Sequence, residues 1–146
     1  MAKPGQDVEL EVEGQFEGPV FHSANALRVV LTNLVTNAIK YSDEGTAIDI
    51  RVRREGDSLL IRISDEGIGI PEAELPLLFE RFFRASNAVS IKGTGLGLHI
   101  VARYVEAMGG TISAESVEGE GTTFTARLPY PLESTDDKPR DRSPNR

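Results

Sequence analysis

The stretch AIDIRVRREGDSLLIRIS, residues 47–64, constrains the fold more than any other part of the chain. Ile48, Ile50 and Val52 alternate with Asp49, Arg51 and Arg53, and Leu59, Ile61 and Ile63 alternate beyond the turn-forming EGDS. Side chains of a strand point to opposite faces in turn, so this pattern writes one apolar face and one polar face. Residues 47–54 and 59–64 therefore read as a hairpin buried on one side only. Such a hairpin needs an apolar cover, and the chain offers two helices that could supply it. After Ser23, a good N-cap, the positions Leu27, Val30, Leu31, Leu34, Ala38 and Tyr41 share one stripe at ~100° per residue. LGLHIVARYVEAMGG (96–110) repeats the periodicity and ends on Gly109–Gly110, with Gly109 expected in the left-handed region.

The remaining segments complete the pattern. VELEV (8–12) alternates as a strand, and TISAES and TTFTARL form a last hairpin around GEG, residues 119–121. DEGIGIPEAEL interrupts the strands, and Pro71 suits the first turn of a short helix. The order β-α-β-β-α-β-β implies an α+β protein: a two-layer α/β sandwich with helices on one face of a mixed β-sheet. The ordered domain is expected over residues 8–132, with tails at 1–7 and 133–146. The second tail, ESTDDKPRDRSPNR, has no large apolar residue and is expected to be disordered.

Composition narrows the function. At 146 residues and 39% hydrophobic content, the chain suits one packed core. A net charge of −7 argues against a nucleic-acid partner held through its phosphates. It does not argue against a phosphate ligand, which backbone N–H groups can cradle. With no cysteine and only two histidines, His22 and His99, neither a thiolate nor a histidine metal cluster can form. No apolar run approaches the length of a membrane span and no signal peptide is visible, so a soluble, cytoplasmic domain is expected.

Three features could carry chemistry. On the first helix Asn33, Asn37 and Lys40 lie at i, i+4 and i+7 and so share a polar stripe. Two amide oxygens could complete the coordination of a phosphate-bound Mg²⁺, and Lys40 could meet a phosphate. Taken alone, a solvated helix face is the commoner origin of such a stripe. In DEGIGI (65–70) a carboxylate closes a strand and two glycines allow close approach to the backbone. Asp65 could accept from an exocyclic amine such as that of adenine, or the segment could be a plain turn. KGTGLGLHI (92–100) places glycines ahead of a helix N-terminus, an arrangement that favours anions. It matches neither the dinucleotide nor the P-loop pattern. Together with the small and polar ASNAVSI before it, it fits a mobile lid hinged on Gly93, Gly95 and Gly97, or a flexible connector.

Their order is more telling than any one of them. NLVTNAIKYS resembles the N box, DEGIGI the G1 box, LFERFFR (78–84) the F box, GTGLGL the G2 box and GEGTTF (119–124) the G3 turn of sensor histidine kinase catalytic domains. That resemblance covers residues from about 8 to 130 and implies the Bergerat ATP-binding fold, shared with DNA gyrase B. It implies ATP and Mg²⁺ as cofactors, and phosphoryl transfer to a histidine on a separate helical-hairpin domain, from which a response regulator is then served. Asn37 and Asn33 would ligate the metal, Lys40 would meet phosphate, and Tyr41 would pack near the base. Asp65 would accept from the adenine amine, helped by Thr122 through water, while Gly67, Gly69 and Ile70 shape the base pocket. Lys92, Gly93, Thr94, Gly95, Leu96 and Gly97 would close over the triphosphate. Arg84 would reach the γ-phosphate, making Arg84, Asn37 and Lys40 the catalytic set.

Two departures qualify what the resemblance implies. ATP-hydrolysing relatives carry a glutamate where this helix has Asn33, and an amide cannot act as a general base, so slow ATPase activity at most is expected. The acceptor histidine motif is missing: His22 in PVFHSANAL lacks the acidic neighbour and proline, and reads as a surface residue. The chain therefore reads as an excised or standalone catalytic domain, monomeric in isolation. A serine kinase of the anti-sigma-factor type and a non-catalytic nucleotide sensor are the alternatives on the same fold. In the F box, Phe79, Phe82 and Phe83 fit core packing, with docking of the missing hairpin a second role for Phe82 or Phe83.

Overall fold

The structure is a computed structural model, and it describes residues 7–13, 24–43, 45–88 and 95–130. Ser23, His22, Lys92, Gly93, Thr94 and the two expected tails, apart from Asp7, lie outside the described residues. The elements run β1 (Asp7–Glu13), α1 (Ala24–Tyr41), β2 (Ala47–Glu55), β3 (Ser58–Asp65), α2 (Gly97–Ala107), β4 (Thr111–Val117) and β5 (Gly121–Pro129). Two short 3-10 helices, Glu72–Leu77 and Ser86–Ala88, fill the connection between β3 and α2. The expected element order is the observed one.

One five-stranded sheet has the order β1-β2-β3-β5-β4. β1 pairs parallel with β2, and every other pair is antiparallel. Alternation decides which face is covered. Ile48, Leu59, Ile61, Ile63, Phe124, Ala126 and Leu128 are buried on one side, while Arg51, Arg53, Arg62 and Arg127 stand exposed on the other. α1 lays Ala26, Val30, Leu34 and Ala38 against the buried face, one residue per i+4 step. Leu27, Leu31 and Tyr41 flank that row and are half-buried. Val101 and Val105 of α2 and Met108 just past its end close the core beside it.

α2 ends as its glycines suggest. Gly109 has φ +82°, and the Gly110 N–H donates to the Val105 carbonyl at 2.9 Å, closing the last turn. Pro71 behaves differently from expectation. It precedes the first 3-10 helix with an extended backbone (φ −57°, ψ 136°) instead of opening it.

Gly69 is held where no other residue fits. Its φ is +70°, and a Cβ there would lie 2.2 Å from the Val117 carbonyl oxygen of β4. Gly69→Ala therefore combines a left-handed alanine with a backbone clash and should lower stability by about 2–4 kcal/mol. Gly119, at φ +86° with open space around it, should cost only about 1 kcal/mol on the same change. Urea unfolding of the two variants beside the parent checks the contrast.

Candidate functional site

β3 closes on Asp65 at the helix-facing side of the sheet, and strand register decides its company. Thr122 of β5 lies opposite Asp65, and Ser116 of β4 lies opposite Thr122. Three polar side chains thus form one row across three strands, two residues beyond the apolar row Ile63, Phe124 and Ala114. Asp65 is only 8% exposed. Burial pushes its pKa from 3.8 up to about 6, against the pull of the Gly67 and Thr122 backbone N–H groups; nearby Asp43 adds to the rise. The folded chain holds this proton more tightly than the unfolded one. Its contribution to stability is complete below 3.8 and is lost as pH rises through 6. Near neutral pH the site holds an ionised, poorly solvated carboxylate that a hydrogen-bond donor would relieve.

The turn after Asp65 is stitched to the end of α1. Ser42 and Gly67 form an isolated antiparallel bridge, and the Ile68 N–H donates to the Tyr41 carbonyl at 3.2 Å. Gly67 packs so closely that a Cβ would lie 2.1 Å from that carbonyl oxygen. This joint sets the carboxylate beside the polar stripe of α1. Between them lies a cleft that opens to solvent.

α1 lines the cleft with Asn33, Thr36, Asn37, Lys40 and Tyr41. The stripe is thus half-buried in a cleft wall, not a solvated face. The Asn33 side-chain N–H donates to the Val29 carbonyl at 2.8 Å, one turn back. Its Oδ1 lies where Gly97 begins α2, 3.2 Å from the position a Cβ would take. The lack of a side chain at Gly97 lets the two helices approach at that point. Lys40 Nζ stands 5.8 Å from the centroid of the Tyr41 ring, a cation–π contact.

The opposite wall comes from the connection between β3 and α2. Arg84 lines the cleft and donates from Nη2 to the Ala88 carbonyl at 3.0 Å. The expectation of a mobile segment from Ala85 onward fails over residues 85–88. Ser86 donates its N–H and its hydroxyl to the Glu74 carboxylate, at 2.8 and 2.6 Å. These two bonds hold Glu74 below its usual pKa. Asn87 donates to the Gly69 carbonyl at 3.0 Å and the Ile68 carbonyl at 3.4 Å, and Ala88 is buried. Ser86 and Asn87 thus tie this segment to Glu74 and to the turn after β3; residues 89–94 lie outside the described residues.

The three F-box phenylalanines part company. Phe79 meets Phe124 edge-to-face at 6.2 Å, and Phe83 lines the cleft. Phe82 points outward, 63% exposed, at φ +67°. Its N–H donates to the Gly95 carbonyl at 2.8 Å, which fixes a backbone conformation that a bulky side chain rarely adopts. His99 has its Nδ1 3.2 Å from the Phe79 carbonyl, in a packing position.

Asn33, Asn37, Lys40, Tyr41, Asp65, Gly69, Ile70, Arg84, Gly95, Gly97 and Thr122 all line this one cleft. Gly67 and Leu96 do not. Gly67 is turned against Tyr41, and Leu96 precedes α2 with its carbonyl taken by the Ile100 N–H at 2.9 Å. Thr36, Ile68, Leu78, Phe83, Ala85, Ala88, Leu98 and Phe124 complete the lining. Thr36 was legible in principle, lying between Asn33 and Asn37 on the same helix face. Among the described residues no cluster of three or more His, Cys, Asp or Glu side chains could hold a metal ion. No described helix is long and apolar enough to cross a membrane.

Residues 22–132 match the family of histidine kinase-, DNA gyrase B-, and HSP90-like ATPases, and the chain belongs to that family. Within it, the similarity runs to sensor histidine kinases. WalK of Bacillus subtilis (strain 168) is 48% identical over 112 residues, a match covering 74% of this chain and 18% of WalK. This chain therefore spans less than a fifth of that relative's length. The mycobacterial sensor histidine kinase MprB shares the fold with a TM-score of 0.74 at 32% identity, covering 86% of this chain and 84% of the MprB chain. Full-length ShkA in complex with AMPPNP shares the fold at 24% identity with a TM-score of 0.69, covering 87% of this chain and 26% of ShkA.

Proposed function

We propose that the cleft binds Mg·ATP and delivers its γ-phosphoryl group to a histidine on a separate helical-hairpin domain. One observation carries this reading: in a chain of this ATPase family, a buried carboxylate, an amide-bearing helix face and an arginine line a single cleft. Asp65 accepts from the exocyclic amine of adenine, and Thr122 assists, directly or through a water. Tyr41, Gly69 and Ile70 bound the base. Lys40 and Arg84 meet phosphate oxygens, with Lys92, Gly93, Thr94, Gly95 and Gly97 closing over them.

The residues present fit a hard divalent cation. Because its N–H₂ is given to Val29, Asn33 keeps its oxygen for another partner. Asn37 and Asn33 would together hold Mg²⁺, which neutralises phosphate charge when bound. Transfer through a loose transition state asks mainly for positioning and charge neutralisation. Arg84 supplies charge at the γ-phosphate, and α1 fixes the triphosphate's approach. Asn33, an amide, cannot take a proton from water, so the site favours transfer to a supplied acceptor over hydrolysis. Phe82 supports the docking of that acceptor: an exposed aromatic, held in a strained backbone at the edge of the cleft, suits an apolar face of the hairpin. A response regulator would take the phosphoryl group from the hairpin. The chain alone would be monomeric and unable to phosphorylate itself, and would act in the cytoplasm.

Isothermal titration with Mg·ADP tests binding; no heat at millimolar nucleotide would end this reading. Incubation with γ-labelled ATP and an acceptor hairpin domain tests transfer. Acid-labile, base-stable label marks histidine, and the reverse stability marks the serine-kinase alternative.

The Asp65 carboxyl also predicts a pH dependence. Adenine needs the ionised form, so ADP affinity should rise with pH. With the pKa at about 6, the Asp65 contribution between pH 5 and pH 7 is about tenfold. Asp65→Asn retains the titration of the phosphates and lacks this contribution. The two pH profiles, measured by calorimetry, should therefore diverge; parallel profiles would remove Asp65 from the base contact.

A further inference from the structure

Ser116 stands at the far end of the row that begins on Asp65, and its hydroxyl has three partners. The Ile70 N–H donates to Ser116 Oγ at 2.8 Å. Ser116 Oγ donates to the Gly121 carbonyl at 2.8 Å. Thr122 Oγ1 lies 2.8 Å from Ser116 Oγ. A serine hydroxyl has one proton and two lone pairs. A carbonyl oxygen can only accept, so the Ser116 proton belongs to Gly121. One lone pair is taken by Ile70, and the other must receive the Thr122 hydroxyl proton. The direction of the last bond is settled by elimination: Thr122 donates backwards, away from the cleft it lines.

That direction fixes the polarity of the base end. Thr122 offers only lone pairs to whatever enters, and Asp65 beside it, taking the Gly67 and Thr122 backbone N–H groups, is an acceptor too. We propose that Ser116 is a positioning residue which, by holding the Thr122 hydroxyl proton, makes this end of the cleft acceptor-only and so selects 6-amino over 6-oxo purines. The inference rests on the nucleotide reading of the cleft and adds to it the residue that sets base selectivity. At position 6 an oxo group would turn its lone pairs towards those of Asp65 and Thr122, and the Thr122 hydroxyl proton, committed to Ser116, could not relieve them. Without Ser116 the Thr122 hydroxyl can turn and donate into the cleft.

The test compares ADP with IDP, which differ in the 6-amino and 6-oxo group and the N1 proton that accompanies it. Both are titrated calorimetrically into the parent, Ser116→Ala, Thr122→Val and the double variant. Ser116→Ala should lower the preference for ADP over IDP by about fivefold or more, chiefly through tighter IDP binding. In the Thr122→Val background the same change should leave the preference unmoved, because Ser116 acts through Thr122. Ser116→Thr, which keeps the hydroxyl, should retain the parent's preference. Ser116→Cys keeps the volume with a weaker acceptor and should repeat the alanine result if the alanine variant does not fold. An ADP-binding parent whose preference survives Ser116→Ala or Ser116→Cys within about twofold overturns the role of Ser116 alone. So does a loss of preference equally large in the Thr122→Val background. A parent that binds neither nucleotide overturns the nucleotide reading as well, so the two failures are distinct.

Discussion

Arg84→Ala should slow phosphoryl transfer to an added acceptor hairpin by about 100- to 1000-fold while changing ADP affinity by less than about threefold. The asymmetry follows from position. Arg84 lines the cleft wall opposite α1, and ADP lacks the phosphate it is proposed to meet. Its Nη2 also donates to the Ala88 carbonyl, so a second role in propping the short helix Ser86–Ala88 must be separated from charge. Arg84→Lys does this: it keeps the charge and loses the planar fork, and it should recover part of the rate. Single-turnover transfer with labelled ATP, beside ADP titrations of the same preparations, gives both numbers. Equal transfer rates would remove Arg84 from the mechanism. A parallel fall in rate and ADP affinity would assign it to the wall instead of the chemistry.

Asp65→Asn should weaken ADP binding by about 10- to 100-fold without weakening the fold. The amide oxygen would be claimed by the Gly67 and Thr122 N–H groups that now reach the carboxylate. Its N–H₂ would then face the cleft, a donor set against the donor of adenine. The fold gains where the ligand loses, because burial already disfavours the carboxylate at neutral pH. Thermal melts near pH 7 without nucleotide should therefore show an unchanged or higher midpoint, with the stabilisation by Mg·ADP much reduced. Unchanged ADP affinity would place the base elsewhere.

Much of this architecture is legible because it is written in local periods. The hairpin 47–64, the stripes of both helices and the Gly109 cap depend on neighbours within one or two turns, so the sequence carries them directly. Asp65, Asn33 and Asn37 are singled out for the same reason: each sits at a definite phase of its own element. What escapes is set by contacts between distant segments. Ile70 and Ser116 are 46 residues apart, and nothing local in TISAES marks one serine as a hub. Asn87 reads as lid composition because its anchors are the carbonyls of Ile68 and Gly69, 19 and 18 residues away. Phe82 fits either core packing or docking by its residue type; its exposure is decided in a turn whose N–H pairs with Gly95, 13 residues on. The half-burial of Lys40 likewise depends on walls contributed by other elements.

The alignment of Asp65, Thr122 and Ser116 across neighbouring strands has a consequence for how the domain can vary. Specificity here is tied to a count of residues. One amino acid inserted into β5 between Gly121 and Phe124 would rotate the threonine to the solvent side, or else displace Phe124 from the core. Composition would barely change, yet either the pocket or the interior would be lost. Drift in chain length is therefore tolerable on the far edge of the sheet and forbidden along this seam.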